Sequence, residues 1–221
     1  MKKIALVTLS FILVAISPLS LHAQKRPARY EKLKNYIFSL PKQDLSQTEK
    51  QILTEMYHEE KLAHDVYVTL YRKFQSPVFN NISRAETVHQ TSIKYLLEKY
   101  NLPIPVTDTT VGKFADPKYT NLYNQLVQKG STDLKNALIV GATIEDMDIH
   151  DLDQALTKVD NQDITIVFKR IRRGSYHHIR AFTRVLYSLY NYKYQPQYIS
   201  QEEYQQIIQN CGPKHFRGKI K

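Results

Sequence analysis

The sequence predicts an all-α protein, a four-helix bundle with one long crossover between its second and third long helices. Three observations carry that prediction. Glycine is scarce, at six in 221 residues, and apolar runs with period-two alternation are almost absent. Four segments instead carry apolar stripes at alternating spacings of three and four. Finally, the connections are unequal. Short turns join the first to the second long helix and the third to the fourth, whereas the middle link needs about thirty residues.

The elements follow in order. Ser46 is an N-cap, and Glu49 three residues on completes a capping box; the first long helix runs from there to about Phe74, ended by Ser76-Pro77. The second spans about Asn81 to Tyr100. Residues 101–116 form a connection rich in Pro and Thr. Pro117 then suits the first turn of a short helix that ends at Gly130 as a C-cap. Ser131 or Thr132 caps the third long helix, which reaches about Val159. Asn161-Gln162-Asp163 makes a tight turn, and the fourth runs from Ile164 to about Tyr192. A short helix over 200–209 and a basic tail close the chain. The bundle thus occupies 46–193, preceded by a partly helical extension over 24–45 and followed by 194–221. One long crossover is the connectivity of ferritin-like bundles.

Residues 1–23 read as a signal peptide. Lys2 and Lys3 form its basic start, Ile4–Ile16 its apolar core, and Leu21-His22-Ala23 the approach to the cut. A secreted or periplasmic protein is therefore expected, with no stable membrane insertion after cleavage. The single cysteine, Cys211, rules out an internal disulfide and leaves a free thiol or a bridge between two copies, so a homodimer stays open. The net charge of +10 falls to +8 without Lys2 and Lys3. Export and the scattering of the basic residues make nucleic acid an unsuitable partner, and the charge reads as a solvated surface.

The chemistry sits where the stripes turn polar. They read Leu53, Met56, Glu60, Ala63, Tyr67, Leu70; then Ile82, Glu86, His89, Ile93, Leu96, Tyr100; then Leu134, Leu138, Gly141, Glu145, Asp148, Leu152, Ala155; and last Ile164, Phe168, Ile171, Ser175, His178, Phe182, Val185, Leu189. All four are apolar at their ends and polar near the middle. A lone buried carboxylate costs several kcal/mol unless paired, and a cluster of them repels itself and takes up protons. A divalent cation removes the conflict and accepts imidazole as well. Glu86 and His89 stand at the i, i+3 spacing of carboxylate-bridged dimetal bundles, which puts both on one helix face. The candidate metal ligands are therefore Glu60, Glu86, His89, Glu145, Asp148 and His178. Glu59 could exchange roles with Glu60, and His177 with His178. Taken singly, each residue has an ordinary surface or core reading; their matching heights on four seams favour metal.

The runs Glu59-Glu60-Lys61-Leu62-Ala63, Glu86-Thr87-Val88-His89, Gly141-Ala142-Thr143-Ile144-Glu145 and Gly174 to Phe182 resemble the bacterial and archaeal ferritin-like family catalogued as domain of unknown function 2202. The likeness covers about Thr48 to Tyr190. That family is related in fold to the rubrerythrins, di-iron peroxidases, which implies a four-helix bundle and a dimetal centre. The resemblance implies a terminal carboxylate at Glu60, a bridging carboxylate and a histidine at Glu86 and His89, a carboxylate at Glu145, and a Glu-x-x-His on the fourth long helix that ends at His178. The sequence departs at Ser175, where the pattern calls for a second bridging Glu. Asp148 is the candidate substitute; otherwise the site holds one metal, binds weakly, or has lost its redox chemistry.

The function expected is metal-dependent oxidation–reduction on peroxide or dioxygen at an iron centre, with manganese or zinc as other occupants. Tyr57, Tyr67 and Tyr176 are candidate relays, or ordinary core aromatics. The alternative is a non-catalytic metal-binding or interaction bundle of the cell envelope. The sequence has no Gly-rich phosphate loop, no Gly-x-Ser-x-Gly elbow and no paired cysteines for a rubredoxin-like electron donor.

Overall fold

The computed structural model describes the backbone of residues 18–209 and side chains from Ala28 onward. Among these residues the regular structure is helical throughout: α1 (Pro18–Ser39), α2 (Gln47–Phe74), α3 (Pro77–Lys99), α4 (Pro117–Gly130), α5 (Leu134–Leu156), α6 (Gln162–Tyr190) and α7 (Gln201–Gln209). Residues 1–17 of the expected signal peptide, and Cys211, lie outside the described residues.

The four long helices form a helical bundle. Helix α2 packs on α3 and α5 on α6, and the two pairs close on each other through α3–α6 and α2–α5. Helix α4, lying in the crossover, covers α2 and α5. The α2 start is the expected capping box. Ser46 Oγ accepts from Glu49 N at 3.1 Å, and Glu49 Oε2 accepts from Ser46 N at 2.9 Å. The other oxygen of Glu49 accepts from Asn161 N at 3.1 Å, so the same carboxylate holds the start of α6.

Several boundaries differ from expectation, each for a local reason. Helix α3 begins at Pro77 instead of Asn81. Proline has φ already set for a first helical position, so Ser76-Pro77 ends one helix and opens the next. Gly130 is no left-handed cap; it stays inside α4, with Ser131 following in right-handed conformation. A Cβ there would come within 3.0 Å of Leu70, so close packing on α2 is what uses the glycine. Asp133, not Ser131 or Thr132, caps α5, accepting from Asn136 N at 2.8 Å.

The extension expected as only partly helical over 24–45 is helical up to Ser39 as the end of α1, which lies against α3. Its C-terminal end is held by Lys99, whose Nζ donates to Ile37 O at 3.2 Å, Leu40 O at 2.8 Å and Pro41 O at 3.3 Å. Ile37 lies in the last turn of α1, where carbonyls have no partner further along the helix, and Leu40 and Pro41 follow the helix directly. The same ammonium meets Asp163 Oδ2 at 2.7 Å, and Asp163 also accepts from Tyr100 OH at 2.9 Å. At the far side, fully buried Asp146 accepts from Tyr194 OH at 2.8 Å and Ile199 N at 3.0 Å, fixing the 194–199 segment to α5.

Two apolar clusters fill the bundle ends. One centres on Tyr67, Leu70, Phe79, Leu138 and Phe182, the other on Leu53, Ile93, Leu96, Ile164 and Phe168. Each such side chain, fully buried, contributes roughly 1.5–3 kcal/mol. The predicted stripes are buried along nearly their whole length. The exception is Leu189, 57 % exposed near the α6 terminus.

Candidate metal centre

Between the two apolar clusters, the polar residues of the four stripes meet. Glu60 comes from α2, Glu86 and His89 from α3, Glu145 from α5 and His178 from α6. The three glutamates are buried to 3 % exposure or less. Glu86 stands in the middle. Its Oε2 lies 2.8 Å from His89 Nδ1 and its Oε1 lies 2.8 Å from His178 Nδ1. Glu60 Oε2 is 3.3 Å from His89 Nδ1, and Glu145 Oε2 is 3.3 Å from His178 Nδ1. The imidazoles stack with centroids 5.4 Å apart. The arrangement is nearly symmetric, with one glutamate and one histidine on each side of a shared carboxylate.

Neighbouring groups orient these side chains. Tyr67 OH donates to Glu145 Oε1 at 2.6 Å and lies 3.3 Å from Gly141 O. Ser175 donates to Asp148 Oδ2 and, at 3.2 Å, to Ile171 O. A Cβ on Gly174 would stand 2.5 Å from His89 Nε2, so only glycine lets the His89 ring lie against α6. Sequence reasoning gave Gly174 no role. Its signal was a glycine in a long helix, one residue before the seam.

The electrostatics are those of charges forced together. Burial raises Glu60, and the imidazoles do not bring it back, leaving it pushed up to about 8. Burial also raises Glu86, but His178 and His89 outweigh it and hold the carboxyl below the usual range. Burial lowers His178, yet Glu86 and Glu145 lift it to about 10. His89 is raised likewise, because Glu86 and Glu60 overcome its burial. Burial, then the charges of Glu60 and Glu145, drive Asp148 well above the carboxylate range.

Position separates the neighbouring residues that the sequence left as alternatives. Glu59 is not within ion-pair distance of either imidazole; burial and the charges of Asp151 and Asp148 push it up. His177 is exposed and pairs with Arg180 at 2.8 Å. Glu60 and His178 are therefore the members of the cluster. Asp148 sits one α5 turn from Glu145 and shares the field of the glutamates, with Ser175 on one oxygen. Tyr57 points elsewhere, its hydroxyl 3.5 Å from Val106 O.

The residues fit a cation. Glu60 Oε1, Glu86 Oε1 and His178 Nδ1 are buried without a hydrogen-bond partner. The last two lie within ion-pair distance but are not aligned as donor and acceptor. One ligand atom from each of Glu86, His89 and His178 falls within 4.8 Å of the others. Oxygen and imidazole donors suit iron, manganese or zinc.

Fold and site together define a helical bundle with a buried carboxylate–histidine cluster capable of holding a metal. Residues 49–211 match the family described as "Uncharacterized protein domain (DUF2202)", and the chain belongs to that family. It is 52 % identical over 173 residues to the uncharacterized protein MJ0754 of Methanocaldococcus jannaschii, covering 78 % of this chain and 93 % of the relative. The crystal structure of hypothetical protein MJ0754 is similar at a TM-score of 0.76 and 51 % identity, over 77 % of this chain and 97 % of that one.

Proposed function

We propose that this protein is an exported ferritin-like four-helix bundle with a dimetal centre, iron foremost, that acts as an oxidoreductase on peroxide or dioxygen. The observation that carries the reading is the Glu86 carboxylate, with each oxygen 2.8 Å from a different histidine Nδ1. Glu60 and His89 would hold one ion, His178 and Glu145 the other, and Glu86 both. Two ferrous ions would supply the two electrons that, with two protons, reduce hydrogen peroxide to two waters. The chain's own part is to neutralise, orient and keep dry. Three glutamates balance most of the added charge, Tyr67 fixes Glu145, and the apolar clusters above and below exclude water. Export rests on the signal reading of residues 1–23.

The test is metal content and optical spectrum of protein purified without a metal-affinity tag, for wild type and for Glu86→Ala with His89→Ala. The wild type should carry stoichiometric metal and the double variant almost none. Equal trace metal in both would end the proposal.

One feature favours a second reading, a bundle that binds metal without turning over substrate. Ser175 occupies the place of a second bridging carboxylate, and Asp148, its candidate substitute, has one oxygen already engaged by Ser175. Manganese or zinc would serve there as well as iron. Metal-loaded protein that consumes neither peroxide nor dioxygen selects this reading.

A further inference from the structure

We infer that the cavity between α1, α3 and α6 admits a small anion to the His89 side of the centre. The inference rests on the dimetal reading and adds the ligand class and its route.

The cavity has a volume of about 200 Å³, with His89 among its lining residues. Its walls include Val88 and Ser92, either side of His89 on α3, Ile171 on α6 and Tyr36 on α1. Known small-molecule pockets span roughly 300–1,000 Å³, so this one suits a ligand of a few atoms. The His89 side chain is 13 % exposed, whereas Glu60 and Glu86 behind it are 1 % and 3 % exposed. His89 is thus the edge of the cluster that meets the cavity. On the other side of Glu86, Glu145 is closed over by buried Tyr67.

Arg170 and Arg173 line the same cavity, one helical turn apart and both exposed. Neither has a carboxylate within ion-pair distance among the described residues. The Arg170 guanidinium lies 4.8 Å from the Tyr36 ring, which places it over the α1 wall. Two uncompensated guanidinium groups beside an apolar-walled cavity raise the local concentration of anions and repel free cations. This face therefore suits a substrate better than an incoming metal. Two divalent ions would also carry one positive charge more than the three glutamates balance, which would favour an anion on the His89 side. Azide is a probe of the right size and charge for anions such as superoxide or hydroperoxide.

The experiment uses the full chain loaded with cobalt(II), whose optical bands report ligand binding. Azide is titrated into wild type, the Arg170→Gln/Arg173→Gln variant, the Arg170→Glu/Arg173→Glu variant and Ser92→Phe, at matched cobalt content. Charge reversal should raise the azide Kd roughly tenfold or more, with the glutamine pair between. Added salt should weaken azide binding in wild type and not in the charge-reversed protein. Ser92→Phe, which fills the cavity, should slow azide association. An unchanged Kd on charge reversal, or an unchanged association rate in Ser92→Phe, overturns the inference while leaving the dimetal centre standing. A wild type that takes up no cobalt removes the dimetal reading itself.

Discussion

Two buried charge clusters in this bundle are built in opposite ways. At one end, Lys99 meets Asp163 and three carbonyls of the α1 terminus, while Asp163 takes Tyr100 OH and the amide of Ile164 as well. At mid-height, three glutamates and two histidines crowd together with Glu60 Oε1, Glu86 Oε1 and His178 Nδ1 lacking hydrogen-bond partners. The first set closes on itself, with opposite charges and donors matched to acceptors. The second has more carboxylate oxygen than donors to satisfy it. A buried polar network is stabilising when complete and costly when partial. Lys99 and Asp163 therefore read as architecture, whereas the Glu86 cluster is left with buried polar atoms that its own members do not satisfy.

The largest effect expected of a single substitution falls on the architectural cluster. Lys99→Met leaves Asp163 buried without its counter-charge and releases the end of α1, and should cost roughly 3–5 kcal/mol in denaturant unfolding. Metal uptake per folded molecule should be unchanged. Loss of metal in parallel with stability would break the distinction between the two clusters.

Next is the pH dependence of the metal-free protein. Glu60 rises from 4.5 to about 8 on folding, and His178 from 6.5 to about 10. In both cases the folded state binds the proton more tightly. Their stabilising contribution is complete below the unfolded values and is lost as pH rises through the folded ones. Metal-free protein should thus lose stability as pH rises from about 4.5 to about 10. Metal competes with those protons, so loaded protein should gain relative stability over the same range. Thermal melts at several pH values with and without iron(II) or zinc check the sign. Parallel curves would show that no cation replaces the protons.

A smaller effect is expected at Gly174. Gly174→Ala drives a methyl group into the space of His89 Nε2. Metal affinity should fall roughly 10–100-fold, as when groups supporting a ligand are disturbed, read by competition with a chelator. The smallest is Tyr67→Phe. It removes the hydroxyl that holds Glu145 and should cost about 1 kcal/mol in the metal-free protein. An equal loss with metal bound would mean that Glu145 is positioned without Tyr67.

The particular elements show why the sequence was informative in some places and silent in others. The capping box at Ser46–Glu49 was legible because its two hydrogen bonds lie within four residues. The stripes were legible because helical period alone puts Glu60, Tyr67 and Leu70 on one face. Helix α1 was underestimated because Lys99, the residue that ties down its end, lies some sixty positions away. Gly130 was misread for a similar reason: its use is contact with Leu70 on another helix, not a local turn.

For the site, sequence alone determined which residues lie at mid-seam and that a carboxylate–imidazole set there favours a cation. It put Glu60 and His178 on the seam but left Glu59 and His177 as alternatives, because adjacent residues on a helix differ by only about 100° of rotation. Tertiary packing made those choices. It also placed Glu86 between the two histidines, set Tyr67 on Glu145, pressed Gly174 against His89 and opened a cavity beside one imidazole. Periodicity fixes the face a side chain occupies, whereas the distance between side chains on different helices depends on how those helices pack.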